Sequence, residues 1–394
     1  MYNFHTYSGG GKIILALTLE MGRIKPSEEL RDIVYKCTEC GSCAVSCKFL
    51  NTLEPLEIIM KLREKLVDAG YGPMPKQQQY IESVKQNNNP YNEPHTKRLD
   101  WLPDDIKIDS DAKTLYYVGC TSSYRRKEMA ISAARILNAA HVPFNILSDD
   151  EFCCGSPVLR TGDIGTFKEF LNKNLDVIES KGIETVIFSC AGCYDTFKVD
   201  YPLYRNYKFR VLHTVEFIDE LLEKGQLKLT NEVPLTVTYH DPCHLGRNAE
   251  RYEEWEGDKV DLMPLVSIYV PPKPKRTGSR GIYDAPRNIL KKIPGLKVVE
   301  MERIREYSYC CGAGAGVKSA FPDFALKTAI NRIQEAEDTG ADTLTSACPF
   351  CSTNLQDAIN ESGSKLRFYD ISEIILMALG LDTKKSKEKI AEVA

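Results

Sequence analysis

The stretch EFCCGSP, residues 151–157, sets two cysteines side by side, and SYCCGAG, residues 308–314, does so again 157 residues later. Around each pair lies the same longer pattern. The first copy has Cys120 in YYVGCTSS, then Cys153 and Cys154, then Cys190 and Cys193 in FSCAGCYD; the second has Cys243 in YHDPCHLG, then Cys310 and Cys311, then Cys348 and Cys351 in SACPFCST. Each copy supplies C, CC and CxxC, five thiols in all. Cys190 to Cys348 spans 158 residues, and Glu216 in HTVEFIDELL to Glu373 in YDISEIILMAL spans 157, so the offset holds where no cysteine is involved. That is an internal repeat, and it predicts two domains of one fold related by a pseudo-twofold axis. Only the first cysteine breaks the offset, at 123 from Cys120 to Cys243, which places an insertion of about 34 residues around 248–280. It reads as a solvated loop, or as a docking or lid element.

Within the first copy TLYYVG, PFNIL and TVIFS read as short strands, and RRKEMAISAARILNAA and TFKEFLNKNLDVIESKG carry helical spacing. Strands alternating with helices imply parallel βαβ units with both sheet faces covered. Each cysteine group then follows a strand, at the carboxyl edge where open α/β sheets hold ligands. Five thiols at one sheet edge make a metal pocket. Adjacent cysteines cannot easily serve one iron, so each CC pair suggests two thiolates facing different irons or bridging them. A vicinal disulfide is the alternative, and its small ring is strained.

The remaining cysteines, Cys37, Cys40, Cys43 and Cys47 in KCTECGSCAVSCK, are spaced C-x2-C-x2-C-x3-C, the bacterial ferredoxin run for a cubane four-iron four-sulfur cluster. Zinc modules typically use two separated CxxC pairs instead. Lys48 stands where that run has proline, and no second run is present, so Cys47 either closes this cluster or reaches another one.

Composition narrows the function classes. Hydrophobic content of 43% and charged content of 27% are those of a globular chain of 394 residues with material for several cores. A net charge of -4 provides no basic field for nucleic acid. The longest apolar runs, 13–21 and 374–381, fall short of the roughly 20 residues a membrane span needs, and the start has no secretory pattern. The expectation is a cytoplasmic protein without a transmembrane segment, whose reduced thiols bind metal or do redox work.

DPCHLGR (241–247), GIYDAPRNILKKIPG (281–295) and CCGAGAG (310–316), with the repeated cysteines, resemble the cysteine-rich CCG domain pair of heterodisulfide reductase-like proteins. That family includes catalytic subunits of heterodisulfide reductase, iron-sulfur subunits of glycolate, lactate and anaerobic glycerol-3-phosphate oxidation, and the electron-transfer subunit of tungsten-dependent benzoyl-coenzyme A reductase complexes. The resemblance implies an α/β protein: an N-terminal helical ferredoxin-like segment at 1–69, a linker at 70–112, tandem CCG domains at 113–230 and 231–382, and a tail at 383–394. It implies three four-iron four-sulfur clusters, one cubane and two of the noncubane CCG type. The second set, Cys243, Cys310, Cys311, Cys348 and Cys351 with His244, takes the catalytic role if a disulfide is cleaved. Family members usually begin with two ferredoxin runs; here SGGGKIILALTLEMGRI (8–24) resembles the segment between them, so the surviving run matches the second.

Gly312, Gly314 and Gly316 lack full dinucleotide-loop spacing and read as glycines that let backbone approach a cluster. No flavin or NAD site is legible, so partners would be flavin- or iron-sulfur-containing redox subunits, of the heterodisulfide reductase A kind or a dehydrogenase. His244 reads as a neighbour of the cluster or a proton donor; Arg160 and Lys318, after the CC pairs, read as surface cations, as charge compensation or as a grip on an anionic substrate. Two functions follow: electron transfer within an anaerobic complex, or reduction of a specific disulfide.

Overall fold

The computed structural model describes residues 4–50, 53–263 and 266–382, so the expected tail at 383–394 lies outside the described residues. Among the described residues nine strands, β1 (Thr114–Tyr117), β2 (Thr185–Phe188), β3 (Arg210–His213), β4 (Thr236–His240), β5 (Asp258–Met263), β6 (Val266–Val270), β7 (Lys297–Val298), β8 (Thr343–Ser346) and β9 (Arg367–Asp370), form three sheets. The first repeat is a parallel sheet in the order β1-β2-β3. Its strands are apolar along their length because helices Lys127–Ala139, Ile164–Ser180 and Thr214–Glu223 leave neither face to water. PFNIL does not become a strand: Asn145 alone bridges to Leu115, exchanging 2.8 Å bonds with Thr114 and Tyr116. Proline at 143 and a left-handed His141 shorten the approach to a single rung.

The second repeat has the order β7-β4-β8-β9, all parallel. Its two-residue β7 takes the edge place that Asn145 holds in the first, so the sheets share one topology. Register extends the equivalence to residues, since Tyr117 pairs with Phe188 and His240 with Ser346. The repeats also embrace reciprocally. Helix Thr214–Glu223 of the first packs on Asp284–Lys292 of the second, and helix Ile371–Ala378 of the second packs on Lys127–Ala139 of the first. Contacts of i with j and j with i are the mark of a twofold relation. The insertion carries β5 and β6, an antiparallel hairpin whose strands stand in solvent where described.

Ahead of the repeats, helices Gly9–Glu20, Glu28–Tyr35, Ser42–Leu50 and Pro55–Asp68 form a small helical unit. The polar segment 70–112 contains helix Pro75–Asn87 and inserts Val84, Arg98 and Trp101 into the interior. It therefore wraps the repeats rather than merely joining two units.

Glu216 and Glu373, which kept the repeat offset, close the same device in each half. Each occupies the third position of its helix and accepts the amide of the preceding cap residue, His213 or Asp370, at 2.9 Å. Replacing either glutamate by alanine is expected to cost about 1 kcal/mol and lower the melting temperature by about 2 °C, read by differential scanning calorimetry.

Candidate metal centre

Every cysteine lies in the described part of the chain, and none of the fourteen forms a disulfide. The carboxyl ends of the parallel strands bring the first set together in a definite order. Cys120 hydrogen-bonds Cys153, Cys153 touches Cys154, Cys154 bonds Cys193, and Cys193 bonds Cys190. The second set repeats the order: Cys243, Cys310, Cys311, Cys351, Cys348. Side-by-side cysteines thus touch each other and divide their remaining contacts, one reaching the isolated cysteine and the other the CxxC loop.

Two further contacts join the sets. Cys190 bonds Cys348, linking the repeats, and Cys40 bonds Cys310, linking the ferredoxin-type loop to the second repeat. Cys37 and Cys43 lie near Cys40, and Cys47 follows Cys43 by one turn of helix Ser42–Leu50. The N-terminal loop is seated by the glycine run: Gly314 has no room for a Cβ against the Thr38 carbonyl, and the Gly312 amide donates to Cys310 Sγ at 3.2 Å. Of the three glycines, Gly312 brings its amide to a thiol, Gly314 admits the Thr38 carbonyl, and Gly316 lies against Gln77 and Tyr80.

Crowding splits the thiols. Hydrogen bonds from Cys153 and Cys193 lower Cys154 to about 6, Cys310 and Cys351 lower Cys311, and Cys190 and Cys351 lower Cys348. Burial instead pushes Cys43 up to about 12. Thiolate is the metal-binding form, so the first repeat already holds one sulfur biased to it, Cys154, and the second holds three, Cys243, Cys311 and Cys348. Five unbridged sulfurs in contact, some biased to thiolate, fit an iron-sulfur cluster and do not fit a structural zinc site of four ligands. His240, Cys311 and Cys351 also bring ligand atoms within 4.8 Å of one another.

Buried cations surround this line of sulfur. Arg98 reaches Cys120 Sγ at 3.8 Å through both terminal nitrogens and pairs with Glu151 at 2.6 Å. Arg247 donates to the carbonyls of Cys40 at 2.5 Å and of Glu306 and Ser308 at 2.7 Å. Arg63 is fully buried and gathers the Cys37 and Arg160 carbonyls at 2.6 Å and the Ala315 carbonyl at 3.1 Å, with Glu39 at 3.0 Å. One guanidinium thereby ties the ferredoxin-type loop to both repeats. Burial still pushes the Glu39 carboxyl up despite that neighbour.

Arg160 is not a surface cation. It is buried against Asp195 at 2.9 Å and Asp200 at 2.6 Å, and Asp195 also accepts from His244 Nδ1 at 2.6 Å. Burial opposes charge on His244, but Cys243 and Asp195 outweigh it and raise its pKa to about 9. Arg160, Asp195 and Asp200 border a cavity of about 260 Å³ walled by Leu56, Met60, Leu159, Tyr204 and Tyr252. Lys318, by contrast, is occupied at the periphery by Asn354 and Asp357.

Arg63, Arg98, Arg247 and His240 were missed from sequence. One signal was available: Ile59, Leu62, Arg63 and Leu66 form an i, i+3, i+4, i+7 stripe, and an arginine in an apolar stripe marks a buried charge. Arg98 sits in a segment whose composition gives no such cue.

Residues 114–198 and 273–356 match the model of the CCG cysteine-rich domain. The chain is 39% identical to a subunit of the dihydromethanophenazine:CoB–CoM heterodisulfide reductase of Methanosarcina mazei, over 91% of this chain and 80% of the relative. It belongs to the heterodisulfide reductase-like family of iron-sulfur oxidoreductases. Members that diverge further include the probable iron-sulfur-binding oxidoreductase FadF of Bacillus subtilis, 29% identical over 90% of this chain and 48% of the relative. A hypothetical protein from Helicobacter pylori superposes with a TM-score of 0.55 over 97% of this chain and 69% of its own, at 13% identity, which is a likeness of fold alone. Heterodisulfide reductase-like proteins carry iron-sulfur clusters, and so does this chain. No described helix is long and apolar enough to cross a membrane.

Arg63→Met keeps the bulk but strands Glu39 and five carbonyls in the interior. It is expected to destabilise the protein by about 3–5 kcal/mol and to lower its iron content, followed by thermal melting and iron analysis.

Proposed function

We propose that this chain is a cytoplasmic electron-transfer subunit of an anaerobic redox complex, carrying three four-iron four-sulfur clusters. Cys37, Cys40, Cys43 and Cys47 would hold a cubane; Cys120, Cys153, Cys154, Cys190 and Cys193, and Cys243, Cys310, Cys311, Cys348 and Cys351, would each hold a noncubane cluster. The observation that supports this is the unbroken line of thiol contacts, through Cys40 and Cys310 and then Cys348 and Cys190. Bound there, the clusters would supply one-electron carriers in the order N-terminal, second repeat, first repeat. The chain's own part is to hold sulfur groups in contact and to keep them dry. The domains would divide at 1–69, 70–112, 113–230 and 231–382, and the partners would be flavin- or iron-sulfur-containing redox subunits.

Anaerobically purified protein is expected to contain about twelve irons and as many acid-labile sulfides, with Cys154→Ala and Cys311→Ala each losing about a third. About four irons, unaffected by either change, would refute the assignment.

A second reading, disulfide reduction in the second repeat, draws on the cavity bordered by Asp195, the partner of His244. A relative at 39% identity bears the name heterodisulfide reductase. The cavity reaches Asp195, whose carboxylate fixes a proton on His244 Nδ1 next to Cys243. That imidazole can deliver a proton to a thiolate product while Arg160 holds Asp195 in place. On this reading His244→Gln lowers disulfide turnover by about 100-fold with iron content unchanged, assayed with a reduced viologen donor. Equal turnover in both proteins would leave electron transfer as the function.

A further inference from the structure

The two five-thiol sites are not equivalent: Arg98 reaches Cys120 in the first, and a histidine meets the second member of the CC pair in the second. Cys154 and Cys311 are repeat partners, each the second member of its CC pair. The side-chain bonds of Cys154 run to Cys153 and Cys193, those of Cys311 to Cys310 and Cys351. Cys311 has one more, to the His240 imidazole at the carboxyl end of β4.

Strand register identifies what the first repeat has instead. His240 stands beside Ser346 as Tyr117 stands beside Phe188, and each lies three residues before its isolated cysteine. The Tyr117 hydroxyl is spent on oxygen: it donates to the Phe152 carbonyl at 2.6 Å and lies 3.3 Å from Asn174 Oδ1.

The proton on His240 is assigned by its other neighbour. Arg332, fully buried, directs Nε to His240 Nδ1 at 3.1 Å, while its terminal nitrogens bond the Arg303 carbonyl at 3.0 Å and Ser308 Oγ at 3.3 Å. Arginine has donors and no acceptor, so Nδ1 must accept and the ring carries its hydrogen on Nε2. A nitrogen that keeps its hydrogen cannot ligate metal. The group of His240, Cys311 and Cys351 is therefore two thiols with an N–H donor, not a three-ligand metal site.

We infer that His240, oriented by Arg332, donates Nε2–H to the Cys311 sulfur and thereby sets the cluster of the second repeat at a higher reduction potential than that of the first. An N–H···S bond favours the more negative, reduced state, and bonds to the sulfurs are among the means by which proteins tune such centres. The Gly312 amide on Cys310 has its counterpart in the Gly155 amide on Cys153, so backbone bonds to the CC pairs do not distinguish the two sites. His240 is a positioning and tuning residue, and the inference rests on the reading that both repeats hold clusters.

The test is a potentiometric titration of the full chain, followed by electron paramagnetic resonance, on the unaltered protein, His240→Leu and His240→Gln. The unaltered protein should show two unequal CCG-cluster potentials. His240→Leu should move the higher one downward and leave the other in place, with iron unchanged at about twelve per chain. His240→Gln, which keeps an N–H, should recover most of the shift. Arg332→Gln leaves the histidine in place but frees Nδ1, and should disturb the same signal and no other. Movement of both signals together, or of neither with iron intact, overturns the proposal. Fewer than about twelve irons in the unaltered protein defeats the three-cluster reading itself, and the proposal with it.

Discussion

A line of thiols can be carried through a protein interior only if positive charge is buried with it. Moving an unpaired thiolate out of water is costly, and burying a lone guanidinium is no cheaper. The arginines of this structure meet that constraint at three places along the line. Arg98 stands at Cys120, Arg247 among Cys40, Cys243 and Cys310, and Arg63 under the Cys37 loop. Most of their hydrogen bonds end on main-chain carbonyls, so the cations that balance sulfur also fix the backbone that carries it.

Arg63 shows how closely structure and chemistry are joined. Its side chain bonds residues 26, 97 and 252 positions away, in all three parts of the molecule. The Cys40 to Cys310 contact depends on that docking, and so does the seating of Thr38 against Gly314. The pseudo-twofold embrace of the repeats does the same for Cys190 and Cys348. Reciprocal packing of helices on both flanks holds the two sheet edges face to face.

Duplication leaves its trace in what was altered afterwards as well as in what was kept. Capping boxes at Glu216 and Glu373 and the order of thiol contacts are common to both halves. Tyr117 and His240 are not, and neither is the hairpin-bearing insertion. A repeated scaffold with one histidine exchanged for one tyrosine can present two sites of one architecture and unlike electronics.

The sequence by itself determined the repeat, the five-thiol sets, the βαβ class and the N-terminal ferredoxin-type run, because spacing along the chain is what strand ends and cluster loops require. It misjudged PFNIL, where composition favours a strand but proline and the preceding turn leave one rung. Which thiols from different groups meet was decided only by tertiary structure, since the 158-residue separation of Cys190 and Cys348 says nothing of distance in space. The same is true of Arg63, Arg98 and the Arg332–His240 pair: a buried charge is recognised by its partners, and these come from remote parts of the chain.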